Sequence, residues 1–343
     1  MKKYIFIILL LVALAVCIPE TYLPLSIQNW AYERDLRSEL SKPGGISREF
    51  YKKWLEIYSQ TLKGPHGKNQ TDYMFALTYA AGCAEYLGEL NLAQSYYEKL
   101  VEMSDQMPHL KSYRESVAQI KYAKCKKGML PKEEALDAYL KIADDPDLII
   151  DDDIKPSDKK IKKFHILDTC KYIIMDLDIS KLPALASKIF ESINDMSDAE
   201  FAKLFPDGSV NTSMGLEFLA EKLFEYYGSQ NMFAEMDIRQ EYLLKNKRCD
   251  GIITSLHYVR ASKKTTEEKV RYIKKIAIDT PVSVENIKSQ IKAANFMKMC
   301  RYNANAIELG KRAMDFVNAN ASSFTSDSLY SIREEIAECM KRD

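Results

Sequence analysis

From Leu25 almost to the C-terminus, apolar residues recur at three- and four-residue spacing, and no stretch sustains the alternation of a half-buried strand. The pattern predicts an all-α fold. A first helix pair is expected at about 25–41 and 47–62, broken at Lys42-Pro43-Gly44-Gly45, with Ser47 placed to cap the second helix. The Gly- and Lys-rich stretch from Lys63 to Gln70 reads as a loop. Another pair is expected at 212–227 and 231–246, separated by a turn at Tyr227-Gly228-Ser229. Helix starts fitting the capping box occur at Ser112-Tyr113-Arg114-Glu115, Ser197-Asp198-Ala199-Glu200 and Thr265-Thr266-Glu267-Glu268.

Residues 1–18 follow another pattern. Lys2 and Lys3 precede an unbroken apolar run from Tyr4 to Ile18, fifteen residues that end at Pro19-Glu20. As a helix this run is about 22 Å long, short of a ~30 Å hydrocarbon core, and suits the apolar part of a secretory signal. Ala13-Leu14-Ala15 supplies a small-x-small cleavage site. Retention as a short anchor is the main alternative. Leu14-Ala15-Val16-Cys17 resembles a lipoprotein box, although Val16 is bulky for it. All three fates place the chain outside the cytoplasm, secreted or periplasmic after cleavage, or tethered to the membrane by its N-terminus. The expected organisation is a leader at 1–18, a helical pair at 19–62 and a repeat domain at 70–343.

Residues 77–105 carry the most specific constellation. Leu77, Ala80, Ala81 and Ala84 are followed by Leu87-Gly88-Glu89-Leu90, and then by Ala93, Tyr97 and Leu100. Small residues let two helices lie close, Gly88 suits a helix end, and Tyr97 and Leu100 share the face of Ala93. This stretch resembles a tetratricopeptide (TPR) repeat, departing from the family pattern mainly at Leu100 and Ala81. Looser copies occur at Ala135, Tyr139 and Ile142 after Gly128 and Pro131, and at Ala186, Phe190 and Ile193 after Pro183. A last one runs from Ala306 to Ala313 around Gly310. The spacings of 42 and 51 residues between Ala93, Ala135 and Ala186 exceed the ~34 of a regular TPR, so the array is degenerate. The resemblance covers about 70–320. It implies a TPR-like α-solenoid of about six antiparallel helix pairs.

Composition narrows function more than it names it. Twelve glycines and eleven prolines are few against roughly 24 and 17 at average usage, which favours long helices. Lys+Arg and Asp+Glu balance at 49 each, so no global field draws the chain to nucleic acid. Cys83, Cys125, Cys170, Cys249, Cys300 and Cys339 are too far apart for a zinc knuckle or redox pair and read as core residues. The scattered histidines His66, His109, His165 and His257 make no metal motif, and no Gly-x-Ser-x-Gly elbow is present. The stretch Gly64 to Asn69 lacks the spacing and the hydroxyl of a phosphate loop. No cofactor or metal is expected. Sequons stand at Asn69, Asn211 and Asn320. Asp144-Asp145-Pro146-Asp147 and Asp151-Asp152-Asp153, followed by the lysines from Lys155 to Lys163, read as a solvated linker whose acidic half caps the next helix.

The 21 tyrosines and 13 phenylalanines stand mostly at helical spacing beside aliphatics and read as core, and Trp30 and Trp54 are expected to staple the first pair together. In a solenoid of this kind the first helix of each pair lines a concave groove. The resemblance therefore implies an extracytoplasmic protein-interaction scaffold, with Thr78 and Glu85 on the groove face of the best repeat. The alternatives are a glycan-binding surface protein on a TPR-like frame and an enzyme with paired carboxylates in a helical cleft.

Overall fold

A computed structural model describes residues 25–64, 70–150, 154–204, 216–245 and 249–341. Sixteen α-helices and five short 3-10 turns make up their regular structure, and no strand occurs among the described residues. The leader at 1–18, His66 and most of the 64–69 loop, the sequons at Asn69 and Asn211, and Asp151 to Asp153 lie outside them. The helices fall into two compact units divided between Lys155 and Pro156.

The first unit holds α1 (Leu25–Leu40), α2 (Arg48–Lys63), α3 (Gln70–Leu87), α4 (Leu90–Glu102), α5 (Tyr113–Lys126) and α6 (Lys132–Asp144). The break between α1 and α2 falls where expected. Gly44 and Gly45 take positive φ, and the Ser47 hydroxyl accepts from Phe50 N at 3.2 Å. Each helix from α2 to α6 packs on the one before it, so the N-terminal pair shares one core with the repeat-like helices. Ala80, Ala81 and Ala84 of α3 and Ala93 of α4 are fully buried, and so is Leu100. The small side chains allow the close approach, and dispersion across it supplies the cohesion. Tyr32 sits among Phe50, Trp54, Tyr58 and Tyr79, with ring centroids 5.1–6.1 Å apart. Trp54 is fully buried, whereas Trp30 is 63% exposed. The staple is therefore Tyr32, which the rotation of α1 turns inward; Trp30 lies two residues earlier and faces out.

The second unit comprises ten helices: α7 (Pro156–Leu177), α8 (Leu182–Asn194), α9 (Asp198–Leu204), α10 (Leu216–Ser229), α11 (Phe233–Lys245), α12 (Gly251–Ala261), α13 (Thr266–Asp279), α14 (Ile287–Met299), α15 (Asn303–Ala319) and α16 (Ser326–Met340). Here alternate helices also touch. α10, α12, α14 and α16 pack one on the next, while α13 meets α15 beside them. Ala186, Phe190 and Ile193 of α8 and Ala306 and Ala313 of α15 are all buried.

One turn recurs in both units. After α3, α5, α10 and α14 a single residue enters the left-handed region: Gly88 (φ 79°), Gly128 (φ 68°), Asn231 (φ 58°) and Arg301 (φ 66°). In each turn the following amide reaches back five residues: Glu89 N to Ala84 O, Met129 N to Lys124 O, Met232 N to Tyr227 O and Tyr302 N to Met297 O, all at 2.9 Å. These are Schellman ends, which satisfy the last carbonyls of a helix. After Gly88, Asn231 and Arg301 the next helix begins two residues on. The predicted turn at Tyr227 to Ser229 is thereby displaced: α10 continues through Gly228, because close packing rather than chain reversal requires the glycine there.

Two of the three predicted capping boxes form. Thr265 and Glu268 exchange both bonds, and so do Ser197 and Glu200. Ser112 does not cap, because the 3-10 turn Pro108–Ser112 runs directly into α5 and holds it in helical conformation. In the acidic segment Asp145 caps the turn Pro146–Ile149, accepting from Asp147 N at 3.2 Å. Ile149 and Ile150 are buried, so the segment is anchored by its two isoleucines rather than wholly solvated. Cys83, Cys170 and Cys339 are buried, in keeping with packing roles, whereas Cys125, Cys249 and Cys300 are only half-buried.

Candidate binding face

The predicted residues Thr78 and Glu85 lie on α3, whose flanks pack against α2 and α4. Beside them runs a stripe spaced at i, i+4, i+7 and i+11: Phe75, Tyr79, Gly82 and Tyr86. That spacing keeps all four on one face of a helix. Phe75 is 40% exposed, Tyr86 57%, and a Cβ added at Gly82 would meet nothing within 4 Å. The face is an aromatic platform with a gap at its centre.

Rings behind the platform fix its rings. Tyr86 stacks on Tyr51 of α2 with centroids 3.7 Å apart and planes at 22°. Tyr79 stacks on Tyr58 at 5.1 Å and meets Tyr32 of α1 at the same distance. Tyr86 keeps 57% of its surface exposed, and a ligand stacking on it costs little entropy, because its rotamer is already held.

Thr78 and Glu85 form the polar flank. The Thr78 hydroxyl donates to Met74 O at 3.0 Å and shares a 3.1 Å hydrogen bond with the Tyr113 hydroxyl. Tyr97 donates to Glu85 Oε2 at 2.8 Å, and the Tyr97 and Tyr113 rings stack at 5.7 Å. The two predicted residues are thus brought onto one surface and tied from α4 and α5. Burial raises the Tyr32, Tyr79 and Tyr97 hydroxyls above the usual tyrosine range, with Glu85 adding to the rise at Tyr97 and the Glu33 charge to that at Tyr79. These phenols therefore stay protonated at neutral pH, and Tyr97 acts as a donor to Glu85.

Phe75, Tyr79, Gly82 and Tyr86 are absent from the sequence reading, which takes the aromatics as core. The signal was present in the spacing: an aromatic stripe on the first helix of the best repeat, interrupted by an exposed glycine. Tyr58, Tyr96 and Tyr97 do pack inside as expected.

Further concavities occur among the described residues. A cleft of about 550 Å³ between α4, α5 and α6 has a floor of Val101, Val117, Ala138 and Leu148 and a rim of both charge signs. Arg114 braces one end, donating to Leu148 O at 3.0 Å and Ser104 Oγ at 3.1 Å. A smaller one of about 340 Å³ between α10 and α12 includes His257, Arg260, Glu221 and Glu225. Burial pushes the His257 imidazole below its ordinary value, with Glu221 working against the shift. Among the described residues no group of three His, Cys, Asp or Glu side chains is placed to hold a metal.

One carboxyl is clearly raised. Burial lifts Glu217 at the start of α10 to about 7, with Lys292 opposing and Asp250 reinforcing the shift. Its Oε1 has no hydrogen-bond partner. Asp250 is already committed to Ile252 N at 2.9 Å, Ile253 N at 3.0 Å and the Ser289 hydroxyl. Glu217 thus stands as a single shifted acid beside a capping carboxylate, not as the paired acid and base of general acid–base catalysis.

No protein-family model and no curated protein matches the chain.

Proposed function

We propose that the chain is an extracytoplasmic interaction scaffold of the TPR-like solenoid type, which binds an extended segment of a protein partner along the outer face of α3. The observation that carries this reading is the platform of Phe75, Tyr79 and Tyr86 around open Gly82, flanked by Thr78 and Glu85. Pre-held aromatic side chains are what a peptide-binding face needs, since aromatic anchors dominate such interfaces and ordering costs erode affinity. The repeated Schellman turns and the packing of alternate helices support a stack of helix pairs.

The same platform gives the glycan reading one specific support, because sugars also stack on exposed tyrosine. Against it, the nearest polar groups, Thr78 and Glu85, are already engaged by Tyr113 and Tyr97. Affinity capture from an envelope fraction with the wild-type chain and with a Phe75→Ala/Tyr86→Ala variant tests the choice. The scaffold reading expects a protein recovered by the first and lost by the second, with helix content unchanged. Capture that returns no specific protein, together with a saturable glycan-array signal abolished by Tyr86→Ala, would overturn it. Mass spectrometry of the native N-terminus separates cleavage near Val16 or Ile18, lipidation of Cys17 and an intact Met1.

A further inference from the structure

Among the described residues, nothing packs on the outward face of α1. Its inner side carries Gln28, Ala31 and Tyr32, with Gln28 accepting from Thr61 Oγ1 at 3.0 Å and Asn29 accepting from the Tyr58 hydroxyl at 3.2 Å. Its outer side presents Ile27, Trp30, Arg34 and Arg37, which share one stripe of the helix. Ile27 is 44% exposed, and the Arg34 guanidinium lies 5.3 Å from the centre of the exposed Trp30 ring. An exposed tryptophan and isoleucine beside arginines make the composition of a helix lying at a membrane–water interface.

What covers this face can be argued from the chain before it. The apolar run Tyr4 to Ile18 ends only six residues before α1 begins, and those six, Pro19 to Pro24, reach at most ~20 Å fully extended. Trp30 stands ~8 Å further along the helix. If the run is seated in a bilayer, the linker holds the start of α1 within ~20 Å of the hydrocarbon edge, so the helix can reach the headgroup region. The charges on the face are balanced, with Arg34 paired to Asp35 at 2.7 Å and Arg37 to Glu33 at 3.5 Å. Attraction to anionic lipid is therefore not the driving term; removal of Ile27 and Trp30 from water is.

We infer that α1 is a membrane-contact helix, docking on a lipid bilayer through Ile27 and Trp30. This inference rests on the membrane-tethered form of the reading above, with the apolar run retained. A tether alone would leave the first unit free to swing, whereas a second contact by α1 fixes the end of the platform-bearing unit to the surface.

The experiment uses the full chain with phosphatidylcholine vesicles and needs no destabilising variant. Trp54 is fully buried and silent to iodide, so iodide quenching reports Trp30, an assignment that a Trp30→Phe control verifies. On vesicle binding, iodide quenching is expected to fall several-fold, lipids brominated near the headgroup should quench the emission, and neither effect should change much with salt. If the chain partitions into vesicles while Trp30 keeps full access to iodide, the α1 contact is wrong and the tether stands. A chain that does not partition at all overturns the tether and the inference together. Shielding of Trp30 already present without lipid assigns the face to the chain's own apolar run and overturns the inference. Binding that requires anionic lipid and disappears at high salt refutes the apolar contact in favour of a basic patch.

Discussion

Two glycines in helices should respond to the same substitution with opposite signs. Glycine to alanine in a helix interior ordinarily stabilises by about 1 kcal/mol, because alanine loses less backbone entropy. At Gly82 nothing opposes that gain, since a Cβ would enter open space. At Gly228 a Cβ would lie 2.9 Å from the Ala261 carbonyl oxygen and 3.3 Å from Ala261 Cβ. The first is a backbone atom and cannot rotate away, so α10 and α12 must separate. Their contact holds Phe224 against Tyr258, with ring centroids at 5.8 Å. Overpacking of this kind costs ~1–3 kcal/mol, so against the propensity gain Gly228→Ala is expected to destabilise by up to about 2 kcal/mol net. Urea denaturation followed by far-UV circular dichroism gives the sign, and hydrogen exchange localises it: opening of α10 and α12 should speed up, with α3 unaffected. Gly82→Ala should move the midpoint upward. If both variants stabilise, the close approach of α10 and α12 at Gly228 is refuted.

Three further outcomes can be checked. Glu217 is raised from an ordinary carboxyl value to about 7, so the native state binds more protons than the unfolded one between about pH 4.5 and 7. Its contribution is fully present below that window and lost as pH rises through it; Glu217→Gln should remove the slope and stabilise at pH 8 by about 1–2 kcal/mol, allowing for solvent screening. Thr265→Ala breaks the capping box of α13 and should cost ~1 kcal/mol, with fraying at 266–269 seen by hydrogen exchange. Trp54→Ala should cost ~3–5 kcal/mol as a core truncation, whereas Trp30→Ala, on an exposed ring, should stay within ~0.5 kcal/mol in thermal melts without lipid.

These contrasts show where the sequence was readable and where it was not. Helix breaks marked by glycine were legible: Gly44-Gly45, Gly88 and Gly128 all take the positive φ that their residue type suggests. Asn231 carries the weaker signal of a residue that tolerates the left-handed region, whereas at Arg301 backbone hydrogen bonds enforce that conformation on a side chain that does not announce it. Gly228 misled for the complementary reason, since only the partner helix reveals that space rather than φ demands it. Capping boxes at Ser197 and Thr265 were local and legible, while the one at Ser112 failed to a preceding 3-10 turn. Thr78 and Glu85 lie on α3, but their tyrosine partners come from α4 and α5, and no local pattern encodes that meeting. The platform itself was hidden by composition: an aromatic at helical spacing looks the same whether its neighbours cover it or not.

The packing within each unit also governs how the chain reaches it. Every substantial contact between α-helices joins neighbours or next neighbours in sequence. Few long loops have to close before burial begins, so the search is short, and nucleation can start at any helix pair and spread. The α3–α4 pair, with its tight turn and fully buried alanines, is the natural place to begin in the first unit. In the first unit α1 makes the sparsest helix packing, on α2. It should open first and exchange its amides fastest there, so that α1, the helix assigned to the bilayer, is also the one that gains most in protection from finding a surface to rest on.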